Sequence, residues 1–130
     1  MKKIDVNLNG YKWDRDSFPT KSGLYVIYTT KKKINGKYGV DELVYVGISN
    51  DIDRRIKEHA STDYPSNNKY AYSYSELSEY ESKLEEAAIV SKCKPKGNQE
   101  YINGYPDDFD RVQLNISGDH KGIPDIITIK

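Results

Sequence analysis

The sequence predicts an α+β fold, a small mixed or antiparallel sheet of three central strands flanked by helices, with extra strands at the termini. Three observations carry this. Two runs rich in β-branched and aromatic residues, 24–28 and 43–47, lie on either side of a polar stretch with an Asn35-Gly36 turn signal. Tyr70, Tyr72 and Tyr74 alternate with small or polar residues, as on a third short strand. Ile52 and Ile56, and later Leu77, Leu84, Ala88 and Ile89, recur at helical spacing. The resulting order of strand, strand, helix, strand, helix suits a layer of helices on a small sheet.

From the N-terminus, Ile4, Val6 and Leu8 alternate with polar residues and predict a short, half-buried strand. Pro19 and Gly23 punctuate the chain before the 24–28 strand. Residues 29–42 are polar and Lys-rich, so the hairpin is expected to have a long basic connection. Ser49 or Asn50 is the expected N-cap of a helix reaching His59 or Ala60, with Asp51 and Asp53 in its first turn. Residues 63–68, with Pro65, read as a loop. Ser75 precedes a helix over 76–93, whose apolar face takes in Leu77, Tyr80, Leu84, Ala88 and Ile89 and which Pro95 ends. Beyond Asn98 a short turn or helix leads to strands at 112–116 and 126–129.

At 130 residues a single domain over 1–130 is expected. Its core must lean on amphipathic side chains, because 12 of its apolar residues are tyrosines. No apolar run approaches the ~20 residues of a membrane span, and the first residues lack the apolar stretch of a secretory leader. The lone Cys93 offers neither an internal disulfide nor a Cys-rich metal site, so a cytoplasmic protein is expected. Twenty Lys and Arg against twenty Asp and Glu exclude an indiscriminate, strongly basic nucleic-acid coater. The charges are nonetheless segregated: residues 1–70 hold 13 basic and 9 acidic side chains, residues 71–130 hold 7 and 11.

Gly23-Leu24-Tyr25 and Tyr45-Val46-Gly47 fall on the two neighbouring strands. They are followed by Ile48-Ser49-Asn50, a helix bearing Arg54, Arg55 and His59, a second helix bearing Glu85 and Glu86, and then Pro95-Lys96-Gly97-Asn98. In this order the chain resembles the GIY-YIG nuclease superfamily, over a core of residues 22–98, leaving 99–130 as an acidic C-terminal extension. The resemblance implies a metal-dependent endonuclease that hydrolyses phosphodiester bonds in DNA, with Mg²⁺ or Mn²⁺ as its divalent ion. It makes Tyr25 and Tyr45 the motif tyrosines, Arg55 the motif arginine, and Glu86 the metal-binding glutamate, with Glu85 and then Glu81 as competitors. His59 stands where the family often has a Tyr or His. Gly23, Gly47 and Asn98 match supporting positions.

The chemistry is consistent with those residue types. Phosphodiester hydrolysis needs an activated water and neutralised phosphate charge, and a hard cation on one carboxylate supplies part of both. Arg55 offers a planar fork of donors that keeps its charge. Arg55 and His59, four apart on a helix, project from one face. Tyr25, implied by the resemblance to deprotonate or position the water while Tyr45 orients it, and His59, with an ordinary pKa near 6.5, are rival general bases. Lys31, Lys32, Lys33, Arg54 and Lys57 are the expected contacts to a nucleic-acid backbone.

The Tyr25-to-Tyr45 interval is longer than the family's common spacing, so residues 31–42 read as an insertion. The chain shows no appended recognition module, and the acidic tail is a poor DNA-binding arm, suited instead to completing the sheet, forming a dimer surface or covering the site. DNA is the expected partner, with RNA as an alternative, no membrane, and a homodimer as one route to cutting both strands. The competing readings are a catalytically silent nucleic-acid-binding module of this fold and a protein-interaction protein of a phage or mobile element.

Overall fold

The computed structural model describes residues 1–65 and 69–130. Residues 66–68, the end of the loop expected over 63–68, lie outside the described set. Among the described residues, six strands and two helices follow in the order β1 (Lys2–Lys12), β2 (Gly23–Lys32), β3 (Tyr38–Ser49), α1 (Ile52–Ser61), β4 (Tyr70–Glu76), α2 (Glu79–Cys93), β5 (Val112–Gly118) and β6 (Ile126–Ile129). They form one sheet with strand order β3-β2-β4-β1-β5-β6. The predicted centre is there: β2 pairs antiparallel with β3 on one side and with β4 on the other, Tyr25 standing opposite both Gly47 and Tyr74. The terminal strands are not ornaments to that centre. β1 pairs antiparallel with β4 and parallel with β5, Ile4 opposite Leu114, and β6 closes the far side. The tail completes the sheet through β5 and β6, one of the uses foreseen for it.

Alternation on β2 sends its side chains to two different cores. Leu24, Val26 and Tyr28 join Ile4, Val6, Leu8 and Leu114 beneath Leu84, Ala88 and Ile89 of α2. Tyr25 and Ile27 face the other way, to Phe18, Tyr72 and the α1 residues Ile52 and Ile56. Leu24 and Val46, the residues departing from the motif tripeptides, are both fully buried.

Several local expectations give way. Residues 29–42 are not a long connection: Thr30, Lys31 and Lys32 pair with Val40, Gly39 and Tyr38, leaving only 33–37 as the turn. Lys-rich strands lack the apolar face that alternation relies on, so they read as loop. Asp51, rather than Ser49 or Asn50, caps α1, its carboxylate accepting from the Arg54 N–H at 3.0 Å. The second helix begins three residues late, with Ser78 as cap, because β4 continues to Glu76 to pair with Gly23. Tyr80, assigned to the apolar face of that helix, is about half exposed, while Ser82 and Glu85 are buried in its place. Lys94, with φ +49°, ends α2 in the left-handed region before Pro95.

Candidate active site

The motif residues converge where β2, β3 and α1 meet. Tyr25 points from β2 toward α1, and its hydroxyl lies 2.8 Å from Nε2 of His59. His59 Nδ1 is 3.1 Å from the Asp63 carboxylate. A carboxylate only accepts, so Nδ1 carries the proton and donates to Asp63; in neutral imidazole Nε2 then accepts from the Tyr25 hydroxyl. The two sequence-level rivals for general base are thus joined in one Tyr25–His59–Asp63 chain. Tyr25 and His59 are both 1% exposed.

Burial pushes the Tyr25 phenol well above its ordinary value of 10, and neighbouring Tyr45 adds to the rise, while the Arg55 guanidinium and its hydrogen bond to Tyr25 oppose it. Burial also raises Tyr45, with the Glu86 charge adding to it and Arg55 again opposing. His59 moves below 6.5, mainly because burial penalises the imidazolium, against the pull of Asp63. Burial favours a protonated Asp63, yet the hydrogen bonds from Thr62 and His59 together hold it below the usual carboxylate value. Near pH 7 the site therefore holds protonated phenols, a neutral imidazole and an ionised Asp63.

Tyr45 packs against His59 with ring centroids 5.2 Å apart and against Tyr25 at 6.2 Å. It also lines a cavity of about 300 Å³ with Glu86, Asn98 and Glu100. Glu86 is the motif-register glutamate and has no hydrogen-bond partner among the described residues. Its pKa is pushed up to about 7, chiefly by burial and then by the charge of Glu100. Its neighbour Glu85 points elsewhere, fully buried, with both carboxyl oxygens unpartnered and its pKa pushed up to about 9 by burial and then Glu81. Glu86, and neither competitor, shares the cavity with Tyr45.

The supporting residues have identifiable work. A Cβ on Gly47 would lie 2.4 Å from the Tyr25 hydroxyl and 2.7 Å from the Tyr45 ring, so only glycine lets the two phenols approach. A Cβ on Gly23 would meet the Ser75 carbonyl at 2.1 Å. The Asn98 carboxamide takes the Val46 N–H at 3.0 Å and donates to the Val46 carbonyl at 2.8 Å, fastening the segment after Pro95 to β3.

The basic residues are more dispersed. Arg55 reaches Glu58 at 3.1 Å with 37% of its side chain exposed, and the exposed Arg54 binds Glu58 at 2.6 Å and Asn50 at 3.0 Å. Lys57 donates to the carbonyls of Asp14 and Asp16 and pairs with Asp53 at 3.5 Å, so its ammonium is engaged inside the protein. Lys31, Lys32 and Lys33 lie on the hairpin arm, away from the phenols. Asp63 and Glu100 escaped the sequence reading. Asp63 sits four residues past His59, beyond the end of α1, where helical spacing no longer signals proximity; Glu100 follows the last motif residue by two.

The model of the GIY-YIG catalytic domain matches residues 21–101. The chain belongs to the GIY-YIG family. No curated protein and no solved structure matches it. The matched span contains the phenol pair, α1, Glu86 and the cavity segment through Tyr101, whereas β1, β5 and β6 lie outside it. GIY-YIG domains are typically endonuclease domains, generally dependent on a divalent metal and acting on nucleic acid. Among the described residues no group of three or more His, Cys, Asp and Glu forms a ready-made cage. Mg²⁺ needs none, since it keeps several waters and takes one or two carboxylates. The unpartnered Glu86 carboxyl, opening on a cavity that Glu100 also lines, fits such an ion. No helix among the described residues is long and apolar enough to cross a membrane.

Proposed function

We propose that the protein is a divalent-metal-dependent endonuclease that hydrolyses phosphodiester bonds in DNA. The observation that carries this is the convergence of Tyr25, Tyr45, Arg55 and His59 beside a cavity whose unpartnered carboxyl is Glu86. Glu86, helped by Glu100, would hold the ion, which when bound supplies charge neutralisation at the phosphate and leaving oxygen. Arg55 meets a non-bridging phosphate oxygen with its guanidinium fork. A water lodged between Glu86 and Tyr45 loses its proton to the phenol pair, and Tyr25 passes the equivalent proton to Nε2 of His59. Asp63 holds the imidazole in the accepting tautomer and offsets the charge it acquires. The buried phenol alone is a poor base, and the neutral imidazole behind it is a good one. Lys31, Lys32, Lys33 and Arg54 serve as contacts to the DNA backbone, while Lys57 braces the 13–16 turn.

The test is nicking of supercoiled plasmid in Mg²⁺ or Mn²⁺ by wild type, Arg55→Ala and Glu86→Gln, each checked for folding. Loss of about 10²–10³ in rate is expected for each, the scale of removing one charge-stabilising group. Cleavage that survives both substitutions sinks the assignment. Binding without cleavage in either metal leaves the silent module.

A further inference from the structure

The hairpin arm carries a surface that the hydrolytic site does not use. Its turn is well built: the Lys33 N–H donates to the Lys37 carbonyl at 2.7 Å, the Gly36 N–H to the Lys33 carbonyl at 2.9 Å, and the Lys37 N–H to the Asn35 side chain at 3.0 Å. Gly36 takes a φ of +81°, which the turn requires. Lys31, Lys32, Lys33 and Lys37 are all exposed, and none has a carboxylate within ion-pair distance among the described residues. Amid these cations, at the apex, Ile34 is wholly exposed. Four unneutralised lysines call for a polyanion. A fully exposed isoleucine among them calls for a polyanion with an apolar interior within reach.

The arm is also tied to the active-site helix. Beside the turn, where Tyr38 pairs with Lys32, the Tyr38 ring meets Trp13 edge-on at 6.5 Å, and the Arg15 guanidinium lies 5.6 Å from the Trp13 ring centre. Residues 14 and 16 in turn accept from Lys57 of α1, the helix of Arg55 and His59.

We propose that this apex grips duplex DNA at a distance from the cut, its lysines on the phosphates flanking the minor groove and Ile34 inserted between two base pairs as a wedge. Exposed apolar side chains among cations act in this way on bent DNA, unstacking one step to bring more protein surface into contact. The proposal rests on the nuclease reading and adds a second contact of defined reach. Ile34 lies nine positions beyond Tyr25, and a fully extended chain of nine steps spans at most ~30 Å. At ~3.4 Å per base pair, the unstacked step lies within about nine base pairs of the scissile phosphate. Pyrimidine–purine steps at that offset, which unstack most easily, are preferred.

The experiment scans 2-aminopurine along a short duplex containing one mapped nick site, bound by the full chain in EDTA. Wild type is expected to raise the fluorescence at one step within about nine base pairs of the nick. Ile34→Ser abolishes that rise and weakens binding about tenfold, the scale of burying one aliphatic side chain, whereas Ile34→Met retains both. Replacing Lys31, Lys32, Lys33 and Lys37 with Ala lowers the salt dependence of binding by nearly one unit of log–log slope for each phosphate left without its lysine. Because every substituted side chain is exposed, folding is checked by unchanged melting. A protein that nicks plasmid but gives no Ile34-dependent fluorescence rise overturns the wedge and leaves the nuclease. A protein that neither binds nor nicks DNA overturns both. Ile34-dependent sedimentation with phosphatidylserine vesicles, without unstacking, overturns the wedge and reassigns the apex to a membrane surface.

Discussion

On the α2 side of the sheet the core is mainly aliphatic, built from Ile4, Val6, Leu8, Leu24, Val26, Leu84, Ile89 and Leu114 around a buried Tyr28. On the α1 side it is aromatic: Phe18, Tyr25 and Tyr72, bordered by Tyr45, Tyr64, Tyr70 and Tyr74, with Ile27, Ile52 and Ile56 between them. Both sides remove large apolar areas from water, and both are supplied by alternate residues of the same β2 strand. They differ in what they leave behind. An aliphatic side chain has no polar atom, so apart from the buried Tyr28 hydroxyl that face serves cohesion. Each tyrosine brings a hydroxyl into the interior, where it must find a partner or carry a cost. Tyr25 finds His59, and the chain of partners runs on to Asp63. The tyrosines of this face thus build a core and, through Tyr25, a buried chain of hydrogen-bonded polar groups from one residue type.

The contrast can be broken by substitutions on each face. The largest effect is expected from His59→Gln, which keeps most of the volume but removes the proton acceptor: nicking should fall by 10²–10⁴, about 3–5 kcal/mol of barrier, with little change in melting. Wild-type nicking by this variant would strip the aromatic face of its proton path. Next comes Ile89→Ala on the aliphatic face, expected to cost about 2–5 kcal/mol of stability in urea unfolding while the folded fraction nicks at the wild-type rate. If activity per folded molecule drops with it, the division of labour between the faces fails.

Glu85 puts a carboxyl on the aliphatic side. Unfolded, its carboxyl ionises near 4.5; folded, it keeps its proton up to about 9. Folding therefore takes up a proton between those values. Stability is fully present below 4.5 and declines as pH rises toward 9, by at most ~1.4 kcal/mol per unit. Glu85→Met should flatten that decline and raise the melting temperature at pH 8; an unchanged pH profile would mean the buried carboxyl is stabilised in its charged form. The smallest effect is expected at the rim of the aromatic cluster. Tyr70→Phe removes a hydroxyl from a half-buried ring that packs on Tyr64, and both stability and nicking should stay within about 0.5 kcal/mol of wild type.

Much of this was legible in the sequence because it rests on local pattern. The alternation of β2 and β4, the Asn35-Gly36 turn, Pro95 after the second helix and the ordered motif residues are all read from near neighbours. What stayed hidden depends on distant ones. Nothing near Lys2–Lys12 announces a parallel pairing with Val112–Gly118 across more than a hundred residues. The hairpin arm was hidden by its lysines, which give strands no apolar face. Along α2, Ser82 and Glu85 are buried because sheet and tail enclose the helix, so a one-sided pattern misplaced Tyr80. Within the candidate site, Tyr25, Tyr45, Arg55, His59 and Glu86 stand in motif order along the sequence, whereas Asp63 is marked only by its contact with the second nitrogen of the His59 imidazole.

The carboxamide of Asn98 has a further consequence. β3 lies at one end of the sheet, and a strand in that position presents a row of free amides and carbonyls that invites pairing with another chain. Gly97 donates to the Val44 carbonyl and Asn98 bonds both polar groups of Val46, so the segment that follows α2 caps this part of the border. The opposite border is β6, only four residues long. Asn98 thus occupies part of a border that would otherwise be open to pairing, and its replacement by alanine would bare both backbone polar groups of Val46 on an edge strand.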